Sequence, residues 1–454
     1  MVFNSNVFLF AFLPLTFTLF WLARNKTQRY VLLALSGFVF YGWWDWRFCG
    51  LLLFSALFSF GAGLLVDRAA CEERRKKQIA VFSVTVDLLI LGVFKYYNFF
   101  AETLRPAGLP LPAIQIVLPI GISFYTFHTI SYVLDVAAGR VRAARNIFEY
   151  LTYVNLFSQL VAGPIVRFRQ IEQDLEKIDG PLQPDWLARG LTFFTAGMIK
   201  KAVIADQIAH YLNPTLDGVG LLGTAGAWVA AFAYSLQLYF DFSGYSDMAA
   251  GLGYLFGLRI PRNFDSPYRA AGIGDFWRRW HISLSTWLRD YLYIGLGGNR
   301  EGEWKTYRNL MLTMLLGGLW HGANWTFAAW GVYHGVLLSL ERCWREPLAR
   351  VPKSLTRVAT YLLVVIGWVP FRSDNFGMAA TWLNRMFVPQ PGLAAPVALT
   401  VWAAAALAIA SAVPEVWRLP TPARRDLAFA CGVAMFFCYL FVNDGGSVFL
   451  YYQF

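Results

Sequence analysis

Charge is scarce in this chain. Only 15% of its 454 residues are Asp, Glu, Lys or Arg, while 57% are hydrophobic and the mean hydropathy is +0.45. A soluble chain of this length would divide into two or three domains. This composition points instead to an all-α polytopic membrane protein, read as a single integral domain over residues 1–454. Cysteine is scarce as well. Cys49, Cys71, Cys343, Cys431 and Cys438 form no metal-binding spacing. Cys431 and Cys438 would stand about 10 Å apart along a helix, too far for a disulfide. The chain shows no internal repeat, heptad run, glycine-rich phosphate loop, Ser-His-Asp order or nucleic-acid module. Histidine occurs five times, at His128, His210, His281, His321 and His334.

Aromatic residues are abundant, at 17%, with 18 Trp and 39 Phe. Trp and Tyr favour the membrane interface, so short and half-embedded helices are expected beside full spans. The net charge of +11 is distributed in short basic runs between apolar segments, such as Arg24 to Arg29, Arg68 to Lys77 and Arg140 to Arg145. That is the pattern of loops held on the cytoplasmic side and in contact with membrane lipids, and it argues against nucleic acid as a partner. Residues 7–22 lack a basic leader and a small-residue cleavage site, so they read as a retained helix. Arg24, Lys26 and Arg29 follow it, which puts the N-terminus on the periplasmic side. Further apolar segments lie at about residues 30–40, 51–66, 79–100, 116–134, 186–212, 225–258, 310–340, 358–371, 397–413 and 427–442. Residues 261–305 contain no clean stretch of the usual ~20 apolar residues. Their mixture of Trp, Arg, Gly and Tyr reads as re-entrant or interfacial structure, which is tolerated at membrane depth only where protein covers it or it lines a cavity.

The segment at 310–340 carries the most informative feature. Leu319-Trp320-His321-Gly322-Ala323-Asn324-Trp325 places an imidazole inside apolar sequence, and an ionisable group in the membrane is a functional candidate by default. His334 lies on the same segment, and His281 follows the basic-aromatic run Asp275 to Trp280. Read as one continuous helix, the segment would hold His321 and His334 far apart. Asp241 and Asp247 are carboxylates in an apolar stretch. They either pair with Arg or Lys of the re-entrant region or line an acceptor path. Arg278, Arg279 and Arg289, flanked by Trp277, Trp280 and Trp287, either anchor the interface or meet phosphates, which arginine binds through bidentate contacts. Trp320, Asn324 and Trp325 are placed to shape the space around His321. A zinc site from His281, His321 and His334 lacks the usual ligand spacing, so no metal is expected.

The motifs WRRWHISLSTWLRDYLY and GGLWHGANWTFAAWGVYHG together resemble the membrane-bound O-acyltransferases. LPIGISFYTFHTISYVLDV, LYFDFSGYSDMAAGLG, the opening MVFNSNVFLFAFLP and the closing FLYYQF are similar to the family's bacterial AlgI-like branch, which serves alginate O-acetylation. The resemblance covers nearly the whole chain, except about residues 389–442, where no family motif can be placed. It implies a helical bundle of about eleven spans with re-entrant helices around a transmembrane tunnel, and a catalytic region at 259–335. It also implies a bacterial inner-membrane enzyme that draws acetyl groups from cytoplasmic acetyl-CoA. Periplasmic SGNH-hydrolase-type partners, within a polysaccharide synthesis and secretion complex, would carry the acetyl group to an exopolysaccharide, alginate first among them. Cellulose, peptidoglycan and teichoic acid systems use related proteins. By the same resemblance His321 is the general base. Burial lowers the pKa of an imidazole and keeps its proton-accepting form. His281 would orient substrate, polarise the thioester carbonyl or stabilise the oxyanion. His334 is open between a structural and a chemical role, and His128 reads as structural. Two other readings stand beside this one. A transporter could also use buried histidines and carboxylates, though the paired repeats expected of one are missing. A scaffold of a secretion complex would not need a histidine in the membrane.

Overall fold

The computed structural model describes residues 1–69, 71–108, 112, 114–161, 163–418 and 424–441, with side chains of the last segment described for 430–439. The closing FLYYQF motif lies outside the described residues, as do residues 109–111 of the proline-rich loop and the end of the expected span at 442. Among the described residues the structure is helical, and extended pairing is confined to an isolated bridge between Leu222 and Leu393. The chain divides into two compact units. One comprises residues 1–195, 245–261 and 421–432; the other comprises 196–244, 262–420 and 433–454.

The first unit contains α1 (Leu13–Leu22), α2 (Lys26–Asp45), α3 (Phe48–Arg68), α4 (Glu73–Leu91), α5 (Ile122–Ala137) and α6 (Ile147–Val154). Helix α3 shows how sequence sets packing here. Its 21 residues suffice to cross a bilayer. The inward stripe is Leu52, Ser55, Ala56, Ser59, Ala62, Gly63 and Val66, at helical spacing. Small residues let neighbouring helices approach closely, and a Cβ on Gly63 would lie within 2.6 Å of the Tyr132 hydroxyl on α5. The opposite face exposes Leu53, Phe54, Leu57 and Leu65, as a lipid-facing surface requires. Helix α5 is buried nearly all round, with fourteen of its residues inside, among them His128. Asp87 of α4 is buried but satisfied, accepting from Ser55 Oγ at 3.2 Å and Thr129 Oγ1 at 3.0 Å. The expected span at 116–134 is helical only from Ile122, because Pro119 and Gly121 (φ +80°) set the chain outside the helix before that point.

The second unit begins at Ala196 and takes in the long helix α7 (Thr224–Leu255) as far as Gly244. It continues through α8 (Ile273–Arg279), α9 (Ile282–Trp287), α10 (Glu303–His321), α11 (Trp325–Cys343), α12 (Lys353–Arg372) and α13 (Val397–Ala412). A last helix, α14 (Arg424–Phe441), follows. Among the described residues, four stretches, Phe48–Arg68, Glu73–Ala107, Lys353–Arg372 and Val397–Arg418, are by length and apolarity alone able to cross a membrane. The irregular stretch expected at 261–305 is present as short helices and turns.

The expectation of one continuous helix at 310–340 is corrected. The chain ends α10 at His321, turns through extended Gly322 (φ −159°, ψ 148°) and starts α11 after Asn324. Asn324 is the N-cap, its side chain accepting from Thr326 N–H at 3.1 Å. The two helices fold back on each other, and glycines make the contact. A Cβ on Gly331 would lie 3.0 Å from Leu315 Cα and closer still to the Met314 carbonyl oxygen.

Candidate functional site

His321 is the last residue of α10 and is buried. Its ring is held by edge-on aromatic contacts, with centroids 5.1 Å from Trp320, 5.2 Å from Trp330 and 5.3 Å from Phe371. The His281 ring centroid is 6.4 Å away. The structure therefore brings together the two histidines singled out from the sequence. They are supported differently. His321 ends a regular helix, while His281 precedes the short helix α9 in the left-handed conformation, φ +44° and ψ +54°. For a non-glycine residue this costs about 1–3 kcal/mol. Hydrogen bonds accepted by Asn263 hold the turn: Ile282 N–H donates to the Asn263 carbonyl at 2.9 Å, and Ser283 N–H and Oγ donate to Asn263 Oδ1 at 3.2 and 2.9 Å. The Phe242 ring lies edge-on to His281 at 4.6 Å.

A cavity of ≈ 250 Å³ reaches His321. Leu284 and Leu288 form one wall; Leu310, Met314 and Gly317 of α10 form another, one helical face leading to His321. Trp277, Trp330 and Leu338 also line it, and Ser285, Arg289, Tyr293 and Thr313 are the polar residues there besides His321. An apolar pocket with few convergent polar groups is the usual form of a small-molecule site.

The other candidates fall in several places. Trp320 is buried against His321. Asn324 caps α11 and donates from Nδ2 to the Asp374 carbonyl at 2.8 Å, so its polar atoms serve the turn. Trp325 is 50% exposed on the first turn of α11 and does not line the cavity. Arg278 and Arg279 both pair with Asp275, at 3.5 and 3.0 Å, and lie outside the cavity lining. Arg289 is the arginine that reaches the lining; it pairs with Asp290 at 2.7 Å. Asp241 forms a buried ion pair with Lys201 at 2.6 Å, and Lys201 also meets Asp206 at 2.7 Å. This partner comes from the helical turn Ile199–Ala205, where the sequence points to the re-entrant region. Asp247 is buried further along α7, in the first unit.

His334 departs most from expectation. The α10–α11 turn brings it to the same tryptophan as His321, with its centroid 5.0 Å from Trp330. Trp277 stands 5.2 Å from it on another side. Neither ring nitrogen has a hydrogen-bond partner among the described residues. No group of three His, Cys, Asp or Glu side chains able to hold a metal ion occurs among the described residues. Sequence reasoning missed Asn263, Trp330 and Gly317. Asn263 carried a signal, as an amide within an irregular apolar stretch, where buried polar groups must be hydrogen-bonded. The two others looked like ordinary apolar helix.

Comparison with known proteins agrees with this geometry. The family model for the membrane-bound O-acyltransferase family matches residues 38–371, which contain both histidines and the cavity. The chain is 47% identical over 396 residues to the probable alginate O-acetylase AlgI of Azotobacter vinelandii, covering 85% of this chain and 78% of that protein. It is 36% identical over 420 residues to the peptidoglycan O-acetyltransferase of Helicobacter pylori, covering 85% and 80%. The teichoic acid D-alanyltransferase of Bacillus subtilis is 29% identical over 286 residues, covering 58% and 71%. These similarities favour catalysis over the transporter and scaffold readings. With His321 at an apolar cavity, a second buried histidine beside it and a family match spanning most of its length, the chain belongs to the membrane-bound O-acyltransferase family and is a membrane O-acyltransferase.

Proposed function

We propose that this protein takes acetyl groups from acetyl-CoA on the cytoplasmic side of the bacterial inner membrane and passes them outward for O-acetylation of an envelope polysaccharide, alginate in the first place. The observation that carries this reading is His321 in the wall of an apolar cavity, 6.4 Å from His281 between ring centroids. A hydroxyl is a poor nucleophile until a base removes its proton. His321 takes that proton as the hydroxyl oxygen attacks the thioester carbonyl carbon. The carbon–sulfur bond then breaks, and the departing thiolate takes the proton back from His321. Base catalysis of this kind contributes about 100- to 10,000-fold. The apolar lining serves the same end by keeping water from the thioester. Arg289, at the cavity lining, is suited to the phosphates of coenzyme A. The immediate acceptor is a hydroxyl on a periplasmic SGNH-hydrolase-type partner or on a carrier, and the N-terminus faces the periplasm. Alginate is preferred because the AlgI relative is the more similar; peptidoglycan is the second reading, supported by the Helicobacter relative.

The test uses purified protein and labelled acetyl-CoA. Wild type should cleave the thioester and label the partner or polymer. His321→Ala, at unchanged melting temperature, should lose at least about 100-fold in rate. Equal rates in a folded variant would remove His321 as the base. Label appearing in peptidoglycan but not in alginate would move the polymer assignment.

A further inference from the structure

Asn263 does more than hold a turn. Its Oδ1 lies 3.2 Å from the Ser283 backbone N–H, 2.9 Å from Ser283 Oγ and 3.2 Å from Nδ1 of His281. Amide orientation and histidine tautomer are ordinarily ambiguous, and here one contact resolves both. A backbone N–H can only donate, so the amide atom facing Ser283 must be the oxygen. Ser283 Oγ also lies 3.4 Å from Nδ1, but its one hydrogen goes to the closer Asn263 Oδ1 at 2.9 Å; an amide oxygen can only accept, so the hydrogen between Oδ1 and His281 belongs to Nδ1. In the neutral ring this leaves Nε2 as the unprotonated nitrogen.

We infer that Asn263 is a positioning residue that fixes His281 as the Nδ1–H tautomer and so makes its Nε2 a hydrogen-bond acceptor in the acyl-transfer site. Of the roles open to His281 from sequence, donation from the neutral ring to the thioester carbonyl or to the oxyanion is thereby excluded, because its Nε2 has no hydrogen to give. Accepting a hydrogen bond from the incoming hydroxyl remains, and orients that hydroxyl beside His321. The main-chain bond from Ile282 N–H to the Asn263 carbonyl serves the same arrangement, holding the left-handed turn that aims the ring. This catalytic consequence rests on the acyltransferase reading of the site; the tautomer does not.

The test separates the two. With only five histidines in the full chain, ring-¹⁵N labelling gives a spectrum in which His281→Ala identifies the His281 signals. Wild type should show a protonated Nδ1 and an unprotonated Nε2. Asn263→Asp keeps an acceptor oxygen in place and should keep Nδ1 protonated and acetyl transfer running. Asn263→Leu removes the acceptor. It should release the tautomer and lower kcat, with KM for acetyl-CoA unchanged, by at least about 10-fold and up to about 10,000-fold where the wrong tautomer is selected. A wild-type His281 protonated on Nε2 overturns the inference without recourse to any variant at Asn263. So does an Asn263→Leu protein with unaltered tautomer and kcat. If wild type shows the expected tautomer but no acetyl transfer with partner present, it is the functional reading that fails.

Discussion

Replacing Gly331 with alanine should cost far more activity than stability. Gly331 sits where α11 crosses α10, and its missing side chain is what allows the approach. An added Cβ would lie 3.0 Å from Leu315 Cα and from the Met314 carbonyl carbon, and nearer still to the carbonyl oxygen. Non-bonded carbons rest at about 3.5–4.0 Å, so the helices must part by about 1 Å. The obstructing atoms are backbone, and no rotamer change relieves them. Overpacking of this kind costs about 1–3 kcal/mol, but alanine recovers about 1 kcal/mol of helix propensity over glycine. The net loss of stability is therefore small, about 0–2 kcal/mol on those figures. Activity has no such offset. Met314 and His321 share a helix, and a 1 Å displacement of reacting groups costs on the order of 100-fold. Gly335 is the control. It lies one turn further along α11, and its Cβ would meet the Met311 sulfur at 2.8 Å, the flexible end of a side chain that can swing aside, and Met311 Cα at 3.3 Å, a milder backbone approach than at Gly331. Gly335→Ala should keep both stability and turnover. The assay is thioester cleavage of acetyl-CoA beside thermal unfolding in detergent. The reasoning is refuted if Gly331→Ala matches wild type in turnover, or if both alanine variants lose activity equally.

The buried Lys201 offers a different kind of test. Lys201→Met removes the buried cation between Asp241 and Asp206 and should destabilise the protein by about 3–5 kcal/mol; if Asp241 instead lines the acceptor path, Asp241→Asn will lower turnover while the melting temperature holds. Asn324→Ala removes the cap of α11 and should cost about 1 kcal/mol in unfolding, and a large rise in KM with no change in stability would give Asn324 back its substrate role. Arg289→Ala should raise KM for acetyl-CoA roughly 10- to 100-fold, as loss of a charge-assisted hydrogen bond of about 1.5–3 kcal/mol requires. An unchanged KM, measured also at raised salt, would make Arg289 an interfacial anchor only.

Composition made the membrane class legible, because burying so much apolar surface with so little charge leaves few alternatives. His281 and His321 were legible for the same reason: an imidazole in apolar sequence is costly enough to stand out. The break between α10 and α11 was not, although its signals were present. Gly322 after the last turn and Asn324 before the next are a helix stop and a helix start, masked by the apolarity of everything around them. Missing that break separated His334 from His321, when in the fold both touch Trp330. Ion-pair partners were illegible for another reason. Asp241 meets Lys201, forty residues earlier, and periodicity carries no information on which of several basic residues the fold brings to a buried carboxylate. Asn263 and Ser283 were missed because their hydrogen bonds close an irregular turn that no pattern encodes.

Breaking a helix within apolar surroundings is expensive, since it strands carbonyl and N–H groups that only the protein can satisfy. At His321 the break has a chemical consequence. The last carbonyls of α10 carry the partial negative charge of a helix C-terminus, and in the base role proposed for His321 the ring beside them gains positive charge only while it holds the proton of the attacking hydroxyl. Such a charge is favoured at this end of a helix by about 0.3–1 kcal/mol, and by up to about 2 kcal/mol where partly buried. The stabilisation is realised as proton transfer proceeds and is absent before it, which is the condition for an interaction to raise turnover rather than merely tighten binding. A histidine in mid-helix would have the same burial and aromatic packing without that field. Asn324 completes the arrangement from the other side: by capping α11 it satisfies an amide that the turn would otherwise leave bare, so the chain can stop one helix at His321 and begin the next at Trp325.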